Sequence, residues 1–328
     1  TAAPVTVSTG NASVTQHTAS TFTASSTYYF TAEFDSVNQN TFLLSYHDSA
    51  NNNYGTTVVG TISGTSISFG TPVVFASVAI TTMIHTHAIP GSSGKFVIVY
   101  GTNILVATVS GTSISHGSPA TLLGDADFDL SFSQSASKFV YVYRSGLQSY
   151  CAIGIVTGTS FTLGSASQIN TGIGHGYSPY SKISWDPHTS NRLVVAYHDD
   201  SDGNKGRCAV GIVSGTSISW GTEARFSSGH ANEFVVKLSI DFDRVSNNKC
   251  LIVYSDYRTN SEAFVVVGTL SGNSISFGSN TAVSSAGANY TRLRFDPSRA
   301  GKFVISYTMG SMYYVREGTL SGTSVTLG

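Results

Sequence analysis

The chain has 328 residues, and 17 lysines and arginines against 18 aspartates and glutamates leave a formal net charge of −1. Only 11% of residues are charged, so the clustered cations that a phosphate backbone requires are missing and no nucleic-acid partner is expected. With 41% of residues apolar and 11% aromatic the chain is not a disordered one, and its apolar runs fall far short of the ~20 residues that cross a bilayer, so no membrane insertion is expected.

Serine and threonine number 52 and 37. A surface this rich in hydroxyls and poor in lysine suits an extracellular, secreted protein. The chain starts at Thr1 with no initiator methionine and no charged-then-apolar leader, so a mature or trimmed product is expected. The sequons Asn11-Ala12-Ser13 and Asn289-Tyr290-Thr291 matter only in a glycosylating pathway.

One heptapeptide organises everything that follows. It first appears as Gly64-Thr65-Ser66-Ile67-Ser68-Phe69-Gly70 and returns at residues 111–117, 158–164, 215–221, 272–278 and 322–328. A period of this size with no helical spacing inside it signals a solenoid or a propeller. The fourth unit shows its strands best: residues 180–185, 192–197, 207–213 and 217–226, with a turn over 186–191, a polar loop over 198–206 and a tight hairpin at Ser214-Gly215-Thr216. Alternation of Ser217, Ser219 and Gly221 with Ile218 and Trp220 is the period of a sheet with unlike faces. Four antiparallel strands per unit in six units predict an all-β fold, a six-bladed β-propeller forming a single domain over residues 1–328. The last unit stops at the motif glycine, whereas earlier units run on into an apolar piece such as residues 71–75. Residues 1–7 resemble that missing piece, so the N- and C-terminal segments are expected to close the ring in one blade.

With strands A to D counted outward, the A–B and C–D turns share one end of each blade. Both repeat closely. Asp35, Asp186, Asp243 and Asp296 follow strand A and are expected to cap their own turns. The B–C and D–A loops share the other end and differ from blade to blade, and ligand contacts favour variable loops on a rigid scaffold. Seven of the nine histidines fall on or near that end: His17, His47, His85, His87, His175, His198 and His230. With Tyr177 and Tyr257 they form the candidate ligand-binding set.

Strand B ends in tyrosine in every unit, at Tyr46, Tyr100, Tyr143, Tyr197, Tyr254 and Tyr307. A residue fixed in all six units reads as core, with a hydroxyl near the rim. His47-Asp48 and His198-Asp199 resemble base–orienter pairs, but consecutive strand residues point to opposite faces. Cys151, Cys208 and Cys250 are expected to be buried free thiols, since an odd count does not frame a disulfide domain.

Two oxygen-rich stretches could take a cation. Asp125, Asp127 and Asp129 would share one strand face about 6.5 Å apart, near the expected channel mouth. Asp200, Asp202 and Asn204 lie in a loop with Gly203, the donor chemistry that Ca2+ prefers. Lys205 and Arg207 compete there.

No nucleotide-binding, zinc-protease, serine-hydrolase or thiol-redox motif occurs. The expectation is therefore a binding module rather than an enzyme: a lectin or cell-adhesion protein that recognises glycans or a glycosylated surface. Two alternatives stand beside it, a polysaccharide hydrolase or lyase and a structural scaffold with a protein partner.

Overall fold

The motif's first glycine turns a two-residue hairpin in every unit. Its φ lies between 58° and 63° in all six copies, backbone that a side chain resists. A computed structural model of the chain describes residues 19–23, 26–124, 128–134, 138–145, 148–169, 181–227, 234–257, 260–285 and 287–328. The described residues carry six antiparallel sheets, each with strands A to D in chain order. This is the blade pattern of a six-bladed β-propeller, as the repeat predicts.

The blades fall into two compact units, Thr1–Pro119 and Ala120–Gly328. In the first unit, blade one holds Thr27–Phe34, Thr41–Asp48, Tyr54–Ser63 and Ser66–Phe69, and blade two holds Ile84–Ala88, Lys95–Tyr100, Asn103–Ser110 and Ser113–His116. In the second unit, blade three holds Phe128–Phe132, Lys138–Ser145, Gln148–Thr157 and Ser160–Leu163. Blade four holds Lys182–Trp185, Arg192–Asp199, Lys205–Ser214 and Ser217–Trp220. Blade five holds Val235–Phe242, Lys249–Asp256, Glu262–Ser271 and Ser274–Phe277. Blade six holds Ala288–Phe295, Lys302–Met309, Met312–Ser321 and Ser324–Leu327. Residues 1–7, which the sequence assigns to ring closure, lie outside the described residues.

Strand D departs from expectation. The sequence reads it as running on through the motif's last glycine, but in blades one, three, four and five it breaks there. A separate short strand then pairs with the other half of strand C. The reason is a close approach between blades. A Cβ on Gly70, Gly164, Gly221 or Gly278 would collide with the backbone oxygen of Thr112, Thr216, Asn273 or Thr323, in the hairpin of the following blade. Only glycine lets each hairpin dock against its neighbour.

Within each unit the core lies between the faces of successive blades. Val194, Ala196 and Val210 of blade four meet Leu238, Ile240 and Phe242 of blade five. Leu251, Val253 and Val265 of blade five meet Leu293, Phe295 and Ile305 of blade six. The six strand-B tyrosines belong to this buried interior, none more than 7% exposed. All three cysteines are free and buried, and burial raises every one of their thiol pKa values, Cys250 to about 12.

Strand A would leave a row of unpaired N–H groups on its free inner edge, and buried donors need acceptors. Side chains of the preceding blade supply them. Asp129 and Ser131 accept from Ile183 N and Trp185 N at 2.9 Å. One blade on, Ser239 and Asp241 accept from Leu293 N at 3.1 Å and Phe295 N at 2.9 Å. The A–B aspartates add a second latch. Asp35 and Asp243 cap their own turns and also accept from Gly94 N and Gly301 N of the next blade. Burial alone would raise the Asp243 pKa, but these backbone bonds together lower it. Asp186 and Asp296 likewise cap their turns, so all four act as the sequence predicts.

Candidate ligand-binding site

In the second unit, the B–C end of blade four is a polar knot. Strand B ends at Asp199, whose carboxylate holds Ser201 N at 3.0 Å and so starts a short 3-10 turn over Asp200–Asp202. Gly203 and Asn204 then take left-handed backbone, at φ 67° and 68°. This turn brings Asp200 and Asn204 back over His198. The His198 Nε2 lies 2.5 Å from an Asp200 oxygen and 2.9 Å from Asn204 Oδ1. His198 and Asp199 do not pair with each other, as their consecutive places on a strand lead one to expect, and Asp199 faces Arg207 at 3.3 Å instead.

The knot is stitched to blade five. Val235 N donates to the Asn204 carbonyl at 3.0 Å, and Phe234 N donates to the buried Asp256 carboxylate at 2.9 Å. That places the Phe234 ring edge-on to His198 at 4.9 Å and to Tyr257 at 6.2 Å. An aromatic row therefore runs from a 4%-exposed histidine to a 66%-exposed tyrosine.

A second feature was not legible in the sequence. Strand A carries a bulge at the same place in blades one, five and six, and its extra residue has positive φ: Tyr29 at 50°, Lys237 at 53° and Tyr290 at 52°. Non-glycine residues there store strain, and a bulge re-aims its side chain. In blade six Tyr290 is 64% exposed, and Lys237 of blade five sits over its ring with Nζ 4.9 Å from the centroid. Thr291 Oγ1 donates to the Lys237 carbonyl and ties the two bulges together.

The first unit has its own aromatic group. Tyr28 and Tyr29 flank His47 at 5.7 and 6.1 Å, with the Tyr29 ring inclined only 21° to the imidazole. His47 is 8% exposed, and neither ring nitrogen has a hydrogen-bond partner among the described residues.

The remaining candidates scatter. His85 and His87 lie within strand A of blade two rather than in its loops, half-buried on either side of Thr86. His17, His175, Tyr177, His230, Asp125 and Asp127 lie outside the described residues. Asp129 accepts from Ile183 N and sits 3.4 Å from Lys182 Nζ. Asp202 is held at 3.0 Å by Lys205 and 2.6 Å by Arg207, whose hydrogen bonds lower its pKa in that order. Among the described residues no group of three His, Cys, Asp or Glu side chains is placed to hold a metal ion.

No known family profile matches the chain, and no curated protein sequence matches it. Solved structures do. The BP39L lectin from Burkholderia pseudomallei is 12% identical, with a TM-score of 0.62 over 91% of this chain and 84% of that one. A putative 6-phosphogluconolactonase from Bacteroides uniformis is 6% identical, with a TM-score of 0.60 over 90% and 82%. A protein from Lactobacillus plantarum is 9% identical, with a TM-score of 0.59 over 87% and 80%. At such identities the likeness is one of fold. No helix of the described residues is long and apolar enough to cross a membrane.

Proposed function

We propose that this chain is an extracellular glycan-binding module, a lectin or adhesin, that holds saccharide at the variable-loop end of blades four and five. The observation that carries this reading is the row from His198 through Phe234 to Tyr257. It offers an exposed aromatic face bordered by a fixed hydrogen-bonding knot. Sugars pack their C–H faces on such rings and direct hydroxyls to neighbouring polar groups. Buried His198, and Phe234 held by the Asp256 carboxylate, fix the row's inner end, so little ordering remains for the ligand to impose. The fold shared with the BP39L lectin agrees with this reading.

A polysaccharide hydrolase or lyase is the less favoured reading. Glycoside hydrolysis needs two carboxyl groups facing across the scissile bond. In this knot Asp200 is turned to His198, and Asp202 to Lys205 and Arg207.

The test is a glycan array probed with wild type, Tyr257→Ala and Tyr313→Ala. Tyr313 is 84% exposed on strand C of blade six and serves as the control. Wild type and Tyr313→Ala should give the same positive spots, and Tyr257→Ala should lose them. Silence across the array, or full binding by Tyr257→Ala, would overturn the reading.

A further inference from the structure

The B–C turn of blade one is a second copy of the turn that makes the knot in blade four. His47 and His198 are each the penultimate residue of strand B, opposite a glycine of strand C, Gly55 and Gly206. The next residue starts the turn in both. Asp48 accepts from Ala50 N at 3.1 Å, as Asp199 does from Ser201 N at 3.0 Å. Left-handed backbone follows at Asn52 and Asn53, with φ of 51° and 61°, where blade four has Gly203 and Asn204. The last residue of each turn then accepts a backbone N–H from the segment entering the next blade. Ile80 N donates to the Asn53 carbonyl at 2.9 Å, and Val235 N to the Asn204 carbonyl at 3.0 Å.

The two copies differ in what surrounds the imidazole. Ser49 stands where blade four has Asp200, and its hydroxyl donates to the Ser26 carbonyl rather than meeting His47. The residue before the incoming N–H is Ala79, where blade four has Phe234 with its ring against His198. Blade one thus lacks both the carboxylate and the ring that complete the surroundings of His198. His47 is 8% exposed all the same, and neither of its nitrogens has a partner among the described residues. A buried polar group without a partner is costly, so its presence points to a group that the fold does not supply.

The imidazole is aimed into the junction of blades one and two, inside the first unit. Ser45, two residues back on the same face of strand B, accepts from Thr86 Oγ1 of blade two at 2.7 Å. Tyr28 lies directly across the strand pair from His47 and shares that face. The Tyr28 and Tyr29 rings stand 5.7 and 6.1 Å from the imidazole, and both are exposed.

We propose that this junction is a second saccharide subsite, in which a sugar hydroxyl meets His47 as Asp200 meets His198, and the sugar ring packs beside Tyr28 as Phe234 packs in blade five. It rests on the glycan-binding reading and makes the chain bivalent. A neutral imidazole carries one donor and one acceptor, and sugar hydroxyls satisfy both. The ligand is an uncharged sugar. Residues 48–54 hold one charged side chain, Asp48, and no base, so a carboxylate or sulfate would meet repulsion with nothing to offset it.

The experiment titrates the full chain by calorimetry with the methyl glycosides of galactose, glucose, mannose and N-acetylglucosamine. At least one should bind wild type at a site that Tyr257→Ala keeps. Adding His47→Phe, which retains a ring but removes both nitrogens, should weaken that site about tenfold. Adding Ser49→Asp instead should close it, by supplying the carboxylate that blade four already has. Melting curves show that each variant is folded, and the two variants reach the subsite by opposite routes, so the failure of one to fold leaves the other as the test. On a washed array, where a chain is retained by both of its sites together, Tyr257→Ala and His47→Phe should each lose the spots. If wild type binds but Tyr257→Ala binds no glycoside, or if what it binds survives both added substitutions, the subsite is overturned and glycan binding at blades four and five stands. Silence of wild type toward every saccharide overturns both.

Discussion

His116 occupies the place in the motif that is Phe69, Trp220 or Phe277 in other units. Its Nε2 lies 3.1 Å from Thr57 Oγ1 of blade one, and the Phe75 ring is 6.0 Å away. Burial lowers its pKa from an ordinary 6.5 to about 4. The folded protein therefore holds a neutral imidazole that the unfolded chain would protonate below 6.5. Its contribution to stability is complete above that pH and falls as pH drops toward 4. A gap of about 2.5 units at 1.36 kcal/mol each sets a ceiling of ~3.4 kcal/mol. The ring is only partly buried, so solvent screening trims this to about 1–2 kcal/mol. His116→Phe keeps an aromatic ring and removes the proton. Urea unfolding of both proteins should show the variant gaining ~1–2 kcal/mol relative to wild type between about pH 7.5 and about pH 4.5. Carboxylates titrate alike in both proteins and cancel from the comparison. An identical wild-type-to-variant difference at both pH values would refute the reasoning.

Three further outcomes follow from the blade contacts and the polar knot. Ser239→Ala strands the buried Leu293 N–H and should cost about 1–3 kcal/mol, read by urea unfolding, whereas Ser276→Ala on the exposed strand D should cost little. Gly221→Ala drives a methyl group into the Asn273 carbonyl, and overpacking of this kind costs about 1–3 kcal/mol; a wild-type melting curve would show that the hairpin contact is not tight. Arg207→Gln releases Asp202 from its guanidinium partner, so calcium should raise the melting midpoint of this variant more than that of wild type, and equal responses would argue against a cation at residues 200–204.

Much of the fold was legible because its signals are local. Positive φ at the hairpin selects glycine, period-two alternation marks the strands, and the turn aspartates find their acceptor role within three residues. The motif's last glycine was legible only as a repeat. Its reason lies in the next blade's hairpin, a contact between segments some fifty residues apart. The site shows the same division. His198 and Tyr257 were found by their place at loop ends. Phe234 was missed because nothing in its neighbourhood marks the ring that joins them. Lys237 and Tyr290 were missed for another reason. A bulge inserts one residue against the partner strand, and the residue that takes positive φ is neither glycine nor asparagine, so composition gives no warning. Strand alternation correctly separates His198 from Asp199, but it does not show that the 3-10 turn brings Asp200 to the imidazole.

The central claim is that saccharide sits on the aromatic row of blades four and five. A crystal structure of the full chain with the strongest glycan from the array tests it most directly. The account predicts a sugar ring against Tyr257, with hydroxyls reaching the side chains of the 200–204 turn. Well-ordered sugar bound elsewhere, with Tyr257 bare, would contradict it.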